Sequence, residues 1–311
     1  MLPMKITLIH NPSAGDGQDV KNLVRLITDA GHDVRHGSSK KGWQRLLKDP
    51  ADLVVAAGGD GTVRRVALAA AENRLPFAAI PIGTANNIAR TIGVLGDARE
   101  LIETWSTSPR SGQPFDIGEV VASWGRERFV EGVGGGLVAD LISRQEEISA
   151  DATLLGSKTD RALHLLGELI RETPLRRWQV SADKVDLSGE YLAFEVLNIR
   201  FIGPNLPLAP DAFPGDGLLD IVLIGESDRE PVLAYVENRL HQASGHLPKL
   251  RVARARRIEI VAPAGVRWHL DDRNWPSGQP LEESTELTVR CLAGAATYLA
   301  APAGDRSRTP S

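Results

Sequence analysis

The sequence predicts two domains, an N-terminal α/β domain with a doubly wound parallel sheet and a C-terminal β-rich domain built as an antiparallel sandwich. The chain has 311 residues and is 42% hydrophobic, which is enough to form more than one core. Up to residue 115, short apolar runs alternate with amphipathic stretches, the pattern of βα units around a parallel sheet. Beyond residue 115, short apolar runs follow one another with a single long helical insert, which favours antiparallel strands.

The N-terminal domain is expected to cover residues 1–115 and to alternate strands with helices. The strand candidates are residues 6–10, 32–35, 53–57 and 77–81. The helix candidates are residues 20–30, 42–48, 63–73 and 86–92. Because the carboxyl ends of parallel strands meet at one edge of a sheet, the loops after these strands are expected to lie side by side.

The C-terminal domain is expected to cover residues 116–300, and its last strand could return to the first domain. The strand candidates are residues 116–123, 126–130, 178–185, 191–197, 219–224, 258–262, 267–270 and 286–291, with a helical insert over 137–171. The glycine run 132–136 is interpreted as a closely packed segment that connects the domains. The small, polar tail 301–311 is expected to be disordered.

The net charge and the cysteine content exclude several classes of protein. Lys and Arg total 36 and Asp and Glu total 40, so the net charge of −4 gives no overall attraction to nucleic acid or to an anionic membrane. The single cysteine, Cys291, rules out an intramolecular disulfide and a cysteine-rich metal site, which fits a reducing cytosol. The apolar run near residue 6 is too short for a signal peptide or a membrane span, so a cytoplasmic location is expected.

The strongest chemical motif is Gly-Gly-Asp-Gly-Thr at residues 58–62, between a predicted buried strand and a predicted helix. Glycines let the backbone approach an anion closely, and the free N–H groups of a helix N-terminus point at negative charge. Asp60 could bind a metal ion or accept a hydroxyl proton. An ordinary glycine turn is the alternative, but average composition gives this pentamer a chance of only about 10⁻³ to 10⁻⁴ in a chain of this length. The candidate phosphate-binding residues are Gly58, Gly59, Asp60, Gly61 and Thr62.

Two further loops are predicted at the same edge of the sheet. The loop at residues 11–17 follows the first strand, and the loop at residues 81–90 follows the fourth. Each alone is also typical of turns and helix caps, whereas three such loops in register favour an anion site. Their small polar candidates are Asn11, Ser13, Thr84 and Asn86. The chain lacks a Gly-x-x-x-x-Gly-Lys-Ser/Thr sequence, so it carries no P-loop.

The motifs NPSAG, GGDGT and PIGTANNIAR, in this order and spacing, resemble the catalytic domain of the diacylglycerol kinase and sphingosine kinase-like lipid kinases, especially their bacterial branch. The resemblance continues through DIGEV at Asp116, EGVGGGLVADL at Glu131 and APDAFPGDGLLDIVLI at residues 209–224. It covers nearly the whole chain and stops at the tail.

The resemblance implies an enzyme that transfers the γ-phosphoryl group of ATP to a lipid hydroxyl, in a cleft between an α/β domain and a β-rich domain. The GGDGT residues and Thr84 would line the ATP phosphates, and Ser38 would lie near the nucleotide. The segment FPGDGLL is similar to the family's Mg²⁺ loop. There Asp216 would bind by its carboxylate and Phe213 and Leu218 by their carbonyl oxygens, a donor set suited to a hard cation. From spacing alone, an Asp-Gly turn before a strand explains this segment equally well.

Two positions depart from the family pattern. Asn87 stands where the family usually has an aspartate after Gly-Thr-Ala-Asn. In HLDDRNWP, residues 269–276, Arg273 stands at the position of the family's general-base glutamate, and an arginine cannot accept a proton at physiological pH. Arg273 could instead contact a phosphate. The remaining candidate bases are Asp60, Asp271 and Asp272; if none of them acts, phosphate transfer is weak or absent.

Three functions therefore stay open. The first is a lipid kinase that uses ATP and Mg²⁺ and contacts a membrane transiently from the cytoplasmic side. The second is an NAD kinase, which also carries GGDGT, although PIGTANNIAR and PGDGLLD fit lipid kinases better. The third is a non-catalytic relative that binds nucleotide or lipid, as Asn87 and Arg273 suggest. No nucleic-acid partner is expected, and the sequence specifies neither the lipid nor the oligomeric state.

Overall fold

The computed structural model of the chain describes residues 3–14, 19–40, 42–107, 112–149, 157–243, 245–278 and 280–299. The predicted tail, residues 301–311, lies outside the described residues, and so does the end of the first predicted loop, residues 15–17. The chain forms two compact units. Unit 1 comprises Met1–Ile117, Pro214–Asp216 and Ala293–Ser311, and unit 2 comprises Gly118–Phe213 and Gly217–Leu292.

Unit 1 contains a parallel sheet with helices between its strands, as predicted. The strands are β1 (Lys5–His10), β2 (Asp33–Ser38), β3 (Leu53–Gly58) and β4 (Phe77–Pro81), in the spatial order β4-β3-β1-β2. The helices are α1 (Val20–Asp29), a 3₁₀ helix (Trp43–Lys48), α2 (Asp60–Glu72), α3 (Asn87–Thr91) and α4 (Ala98–Thr107). All three strand pairs are parallel, so the four strands end at the same edge. Every residue of β3 is buried, as expected inside a parallel sheet covered on both faces.

Two helices of unit 1 differ from the predictions. Helix α2 begins at Asp60 and not at residue 63, because the Gly59 carbonyl already accepts hydrogen bonds from the N–H groups of Thr62 and Val63. The predicted helix at residues 42–48 is a 3₁₀ helix that follows Gly42, whose φ of 87° only glycine adopts readily.

Helix α4 was not predicted, although the sequence carries signals for it. Asp97 precedes the helix and its Oδ1 accepts a 2.8 Å hydrogen bond from the Arg99 N–H, which is a standard helix start. Leu101, Ile102 and Trp105 are buried and lie at helical spacing.

Unit 2 is an antiparallel sandwich, as predicted. One sheet contains β5 (Gln113–Ala122), β6 (Gly125–Phe129), β8 (Arg176–Ala182), β9 (Val185–Asp186), β10 (Gly189–Tyr191), β14 (Arg257–Ala262) and β17 (Thr285–Tyr298). The other has the order β13-β12-β11-β7-β15-β16, with β7 (Gly132–Gly136), β11 (Ala193–Leu197), β12 (Leu219–Ile224), β13 (Arg251–Ala255), β15 (Trp268–Leu270) and β16 (Arg273–Asn274). Their facing side chains form one buried cluster, which includes Phe129, Trp178, Phe194 and Trp268.

Three helices form a second core with the outer face of the β7–β11–β12 sheet. They are α5 (Leu137–Ser149), α6 (Lys158–Glu172) and α7 (Glu226–Leu240). The predicted insert at 137–171 is thus two helices, and residues 150–156 between them lie outside the described residues. Helix α7 was not predicted, and Pro231 inside it is a residue that usually interrupts a helix. Arg229 of α7 donates hydrogen bonds to the carbonyl oxygens of Ile170 and Thr173, and so caps the end of α6.

The glycine run at residues 132–136 is a strand, and its interpretation as a connecting segment is wrong. Strand β7 is fully buried and pairs with β11 on one side and with β15 on the other. A Cβ atom at Gly135 would lie 2.8 Å from the Trp178 ring, so the absence of side chains lets the sandwich core pack against this strand. Glycine has low strand propensity, which hid the strand in the sequence.

Strand β17 is also longer than predicted, since it continues beyond residue 291 to Tyr298. Its last residue pairs with Phe77 of β4 in unit 1. Tyr298, Phe77 and Phe115 pack there as an aromatic cluster, with ring centroids 5.4–6.2 Å apart. The chain therefore returns to unit 1 at its last described strand.

Candidate active site

The GGDGT motif forms a tight turn between β3 and α2 at the carboxyl edge of the parallel sheet. Gly59 is the N-cap of α2, so Asp60 and Gly61 form the first turn of the helix. This arrangement directs the positive end of the helix dipole toward the space beyond the sheet edge. Thr62 is buried and packs on Gly58, where a Cβ atom would lie 2.6 Å from Thr62 Oγ1. The turn can therefore present backbone N–H groups to an anion, while the Thr62 side chain supports it from inside.

The loop after β4 lies directly against this turn. A Cβ atom at Gly83 would overlap the Gly59 Cα atom, so the two backbones approach as closely as glycines allow. Asn86 closes the loop, because its Oδ1 accepts from the Gly83 N–H at 3.0 Å and its Nδ2 donates to the Gly83 carbonyl at 2.7 Å. Thr84, which lies between Gly83 and Asn86 in the sequence, is exposed. The close approach of Gly59 and Gly83 thus brings two separate predicted loops together.

Asp60 connects the glycine-rich turn to the start of α3. Its Oδ1 accepts a 2.9 Å hydrogen bond from the Ile88 N–H at the start of α3. Burial raises the pKa of the Asp60 carboxyl, although backbone N–H groups of residues 86–88 and of Asp60 itself oppose this shift by stabilising the ionised form. A half-buried carboxylate with a raised pKa at a helix N-terminus is typical of a functional site. Asn87, where an aspartate was expected, is buried in the first turn of α3.

The other predicted loop residues lie at the same sheet edge. Asn11 follows β1, and its Oδ1 accepts from the Ser13 N–H at 3.1 Å, which shapes the described part of that loop. Ser38 ends β2, and its Oγ accepts from the Lys40 N–H at 3.3 Å. The β1–β2 and β1–β3 registers pair His10 with both Ser38 and Ala57, so the three loops start level with one another.

Arg65 connects two of these loops, although no sequence motif singled it out. Its Nε donates to the Gly61 carbonyl at 3.0 Å, and its NH1 donates to the Ser39 carbonyl at 2.9 Å. The guanidinium group therefore links the GGDGT turn to the loop after β2. The sequence did contain a signal for Arg65, because it is a basic residue one turn into the helix that follows the glycine-rich loop.

Asp271 and Asp272, the candidate bases of unit 2, differ sharply in environment. Asp271 is buried, and its Oδ1 accepts hydrogen bonds from three consecutive N–H groups, those of Val130, Glu131 and Gly132, at 2.7–3.2 Å. These bonds commit Oδ1 of Asp271 to the backbone of residues 130–132. Asp272 is exposed. Arg273 is also exposed, and its NH2 lies 3.5 Å from the Glu127 carboxylate.

The segment with the predicted metal ligands is a turn before β12. Asp216 is exposed, and the following Gly217 has a φ of 77°, which reverses the chain there. Asp116 holds the first part of the segment in unit 1, since its N–H donates to the Pro214 carbonyl and its Oδ1 accepts from the Gly294 N–H at 2.7 Å. Among the described residues, no group of three or more His, Cys, Asp or Glu side chains could hold a metal. A cation here would need backbone oxygens beside the Asp216 carboxylate, which is the donor set of the prediction.

Comparisons with known proteins match both parts of the chain. Residues 5–120 match the diacylglycerol kinase catalytic domain, and residues 144–279 match the YegS C-terminal NAD kinase beta sandwich-like domain. A diacylglycerol kinase of Bacillus subtilis is 27% identical over 278 residues, which are 85% of this chain and 88% of that protein. A Pseudomonas aeruginosa protein named "Probable lipid kinase YegS-like" is 27% identical over 89% of this chain and 88% of its own length.

The fold itself has known counterparts. A crystal structure of a diacylglycerol kinase from Bacillus anthracis superposes with a TM-score of 0.68 at 21% identity, and covers 96% of this chain and 97% of its own. The fold and the two domain matches define the class of protein, a kinase-type α/β catalytic domain followed by a β-sandwich domain. The chain belongs to the diacylglycerol kinase-like lipid kinase family, in its bacterial branch, as the motifs predicted. No helix among the described residues is long and apolar enough to cross a membrane.

Proposed function

We propose that the protein transfers the γ-phosphoryl group of ATP to a hydroxyl group of a membrane lipid, with Mg²⁺ as the metal. The observation that carries this proposal is the glycine-rich turn of residues 58–62, which meets the loop of residues 81–86 at the N-terminus of α2, with Asp60 between them. The named functions of the relatives support a lipid as acceptor. Because the acceptor is a membrane lipid, the reaction would take place during transient contact with the cytoplasmic membrane surface.

The residues of unit 1 would hold the nucleotide. Backbone N–H groups of the glycine-rich turn and the dipole of α2 would bind the phosphates, with Thr84 and Ser38 beside them. Phosphoryl transfer depends mainly on alignment and on neutralisation of charge, which a bound Mg²⁺ supplies. We place that ion at Asp216 and at the carbonyl oxygens of Phe213 and Leu218, because these oxygens are ligands suited to a hard cation.

The proton of the acceptor hydroxyl needs a carboxylate. Asp271 is buried and its Oδ1 supports the backbone of residues 130–132, and Arg273 cannot accept a proton. Asp60, with its raised pKa, and the exposed Asp272 are therefore the proposed bases.

The test is transfer of labelled γ-phosphate from ATP to an extract of mixed membrane lipids in the presence of Mg²⁺. Parent protein should label a lipid, and Asp60→Asn, which keeps the size of the side chain, should lower the rate by at least about 100-fold. Asp29→Asn, which removes an exposed carboxylate from α1, should leave the rate within twofold of parent and is the matched control. Equal labelling by parent and Asp60→Asn would refute the proposed site.

One observation favours a second candidate, a non-catalytic protein that binds nucleotide or lipid. In the segment 271–273, one carboxylate is committed to backbone N–H groups and the base position holds an arginine paired with Glu127. ATP binding by folded protein without labelling of any lipid would support this candidate. Label in NAD, added as an acceptor to the same assay, would instead indicate an NAD kinase.

A further inference from the structure

A buried carboxylate–imidazole pair crosses the glycine strand β7. Glu195 on β11 and His269 on β15 both pair in register with Gly134, which lies between them. Their side chains meet over this glycine, with His269 Nε2 2.7 Å from Glu195 Oε2, and neither side chain is exposed to solvent. A Cβ atom at position 134 would overlap the Glu195 carboxylate, so the glycine is what permits the contact.

The hydrogen-bond partners of the His269 ring determine which of its two nitrogens carry a hydrogen. His269 Nδ1 lies 3.1 Å from the Asp271 carbonyl oxygen, which can only accept, so Nδ1 carries a hydrogen. Nε2 faces a carboxylate oxygen, so a second proton lies between Nε2 and Glu195. Burial by itself lowers the pKa of His269, but Glu195 and Asp271 together outweigh burial and raise the pKa.

His269 thereby fixes the backbone of Asp271. Asp271 has a φ of 53°, a left-handed conformation that is unfavourable for a residue with a side chain. Four further bonds hold it there, namely its N–H to the Gly132 carbonyl at 2.8 Å and its Oδ1 with the N–H groups of residues 130–132. Asp271 and Asp272 form the turn between β15 and β16, in which Leu270 pairs with Arg273, so the conformation of Asp271 sets the position of Asp272.

We propose that the Glu195–His269 pair is a positioning device that locks the Asp271 turn and thereby fixes the position of the Asp272 carboxylate for proton transfer. The catalytic part of this proposal rests on the proposed function. Buried ion pairs contribute little net stability, because desolvation offsets their attraction, so the effect of this pair is on geometry. Glu195 and His269 would be positioning residues, since neither is exposed to a substrate.

The first test needs no activity. In protein labelled with ¹⁵N at histidine, both ring nitrogens of His269 should show the chemical shifts of a protonated ring at pH 6.5, with the signal assigned by its loss in His269→Gln. A ring with one unprotonated nitrogen, and without a proton shared with Glu195, would overturn the proposal.

The second test compares Glu195→Gln with Glu190→Gln, an exposed glutamate on the neighbouring β10. Glu195→Gln should speed hydrogen exchange at the N–H groups of residues 130–132 at least tenfold, and Glu190→Gln should not. Equal protection in the two variants would show that the pair does not hold the turn.

The third test separates positioning from binding. In the labelled-phosphate assay, Glu195→Gln should lower kcat by about 10- to 100-fold with KM for ATP within twofold of parent, because displacements of about 1 Å have effects of this size. A normal kcat would overturn the catalytic part. If parent protein labels no lipid at all, the proposed function fails, while the histidine signals and the exchange rates still decide whether the pair locks the turn.

Discussion

At the scale of single residues, environment separates the roles of three aspartates that the sequence could not rank. Asp60 is half-buried at a helix N-terminus with a raised pKa. Asp271 is buried and holds three backbone N–H groups, and Asp272 is exposed. Burial and hydrogen-bond donors, both of which come from the fold, thus give each of the three carboxylates a different environment.

The raised pKa of Asp60 predicts a stability effect. A carboxyl whose folded pKa lies above its unfolded value of 3.8 stabilises the fold fully below pH 3.8 and loses that contribution as the pH rises through the folded pKa. At pH 7 the ionised Asp60 therefore destabilises the free protein. Asp60→Asn removes this charge, and its Oδ1 can still accept from the Ile88 N–H, so we expect Tm to rise by roughly 2–4 °C, or about 1 kcal/mol.

Thermal unfolding at pH 7 and at pH 4.5 checks this prediction. The gain from Asp60→Asn should shrink at the lower pH, where more of the parent carboxyl is protonated, and Asp29→Asn should show no such dependence. A lower Tm for Asp60→Asn at pH 7 would mean that the helix dipole and the backbone N–H groups outweigh the cost of burial.

At the scale of elements, the glycine strand β7 shows how residues without side chains allow close packing. Each face of this strand receives a neighbour that a Cβ atom would exclude, Trp178 on the sandwich side at Gly135 and Glu195 on the helix side at Gly134. The glycines of β7 are therefore required by the side chains that pack against both faces of the strand. The same principle brings the loops at Gly59 and Gly83 together in unit 1.

Gly134→Ala tests the role of β7. The added methyl group must displace the Glu195 carboxylate and leave His269 without its partner, so unfolding free energy should fall by about 3 kcal/mol. Gly167→Ala in α6 is the matched control, because the nearest atom to a new Cβ is 3.7 Å away and alanine favours helix by roughly 0.5–1 kcal/mol. Urea unfolding should thus shift in opposite directions for the two variants. A tolerated Gly134→Ala would contradict the close packing over β7.

At the scale of the whole molecule, the chain leaves each unit and returns to it. Unit 1 includes the segment Pro214–Asp216 and the residues from Ala293 onward. Asp116 forms hydrogen bonds with both of these returning segments. The proposed metal ligands lie around the first of these returns. Each unit is thus completed by residues distant in sequence, which is why a single cut in the chain describes the organisation poorly.

The pH dependence of unit 2 follows from its buried pair. The pKa of His269 is raised above its ordinary value of 6.5 by Glu195 and Asp271, which outweigh burial, so its stabilising contribution is complete below pH 6.5 and is lost as the pH rises through the folded pKa. Hydrogen exchange of β11, corrected for the intrinsic rate, should show protection falling above pH 6.5. Glu195→Gln should flatten this profile and Glu190→Gln should not. A flat profile for the parent protein would count against the charged pair.

The sequence by itself determined the fold class, the parallel sheet built from βα units, the antiparallel sandwich of the second domain and the family. These depend on patterns within short segments, such as hydrophobic periodicity around β3 and the spacing of GGDGT from its strand and helix. The same local patterns missed α7, where Pro231 masks the periodicity, and β7, where glycines carry no pattern.

Only the tertiary structure decided the chemical roles of the candidate site residues. Asp271 receives its N–H donors from residues about 140 positions away, His269 meets Glu195 across 74 positions, and Asp60 bonds to Ile88 across 28. The basicity and orientation of a side chain depend on which groups surround it in space, and neighbours brought together by the fold leave no mark in the adjacent sequence. For this reason residue type alone predicted where the glycine-rich turn lies, but not the environment of each candidate carboxylate.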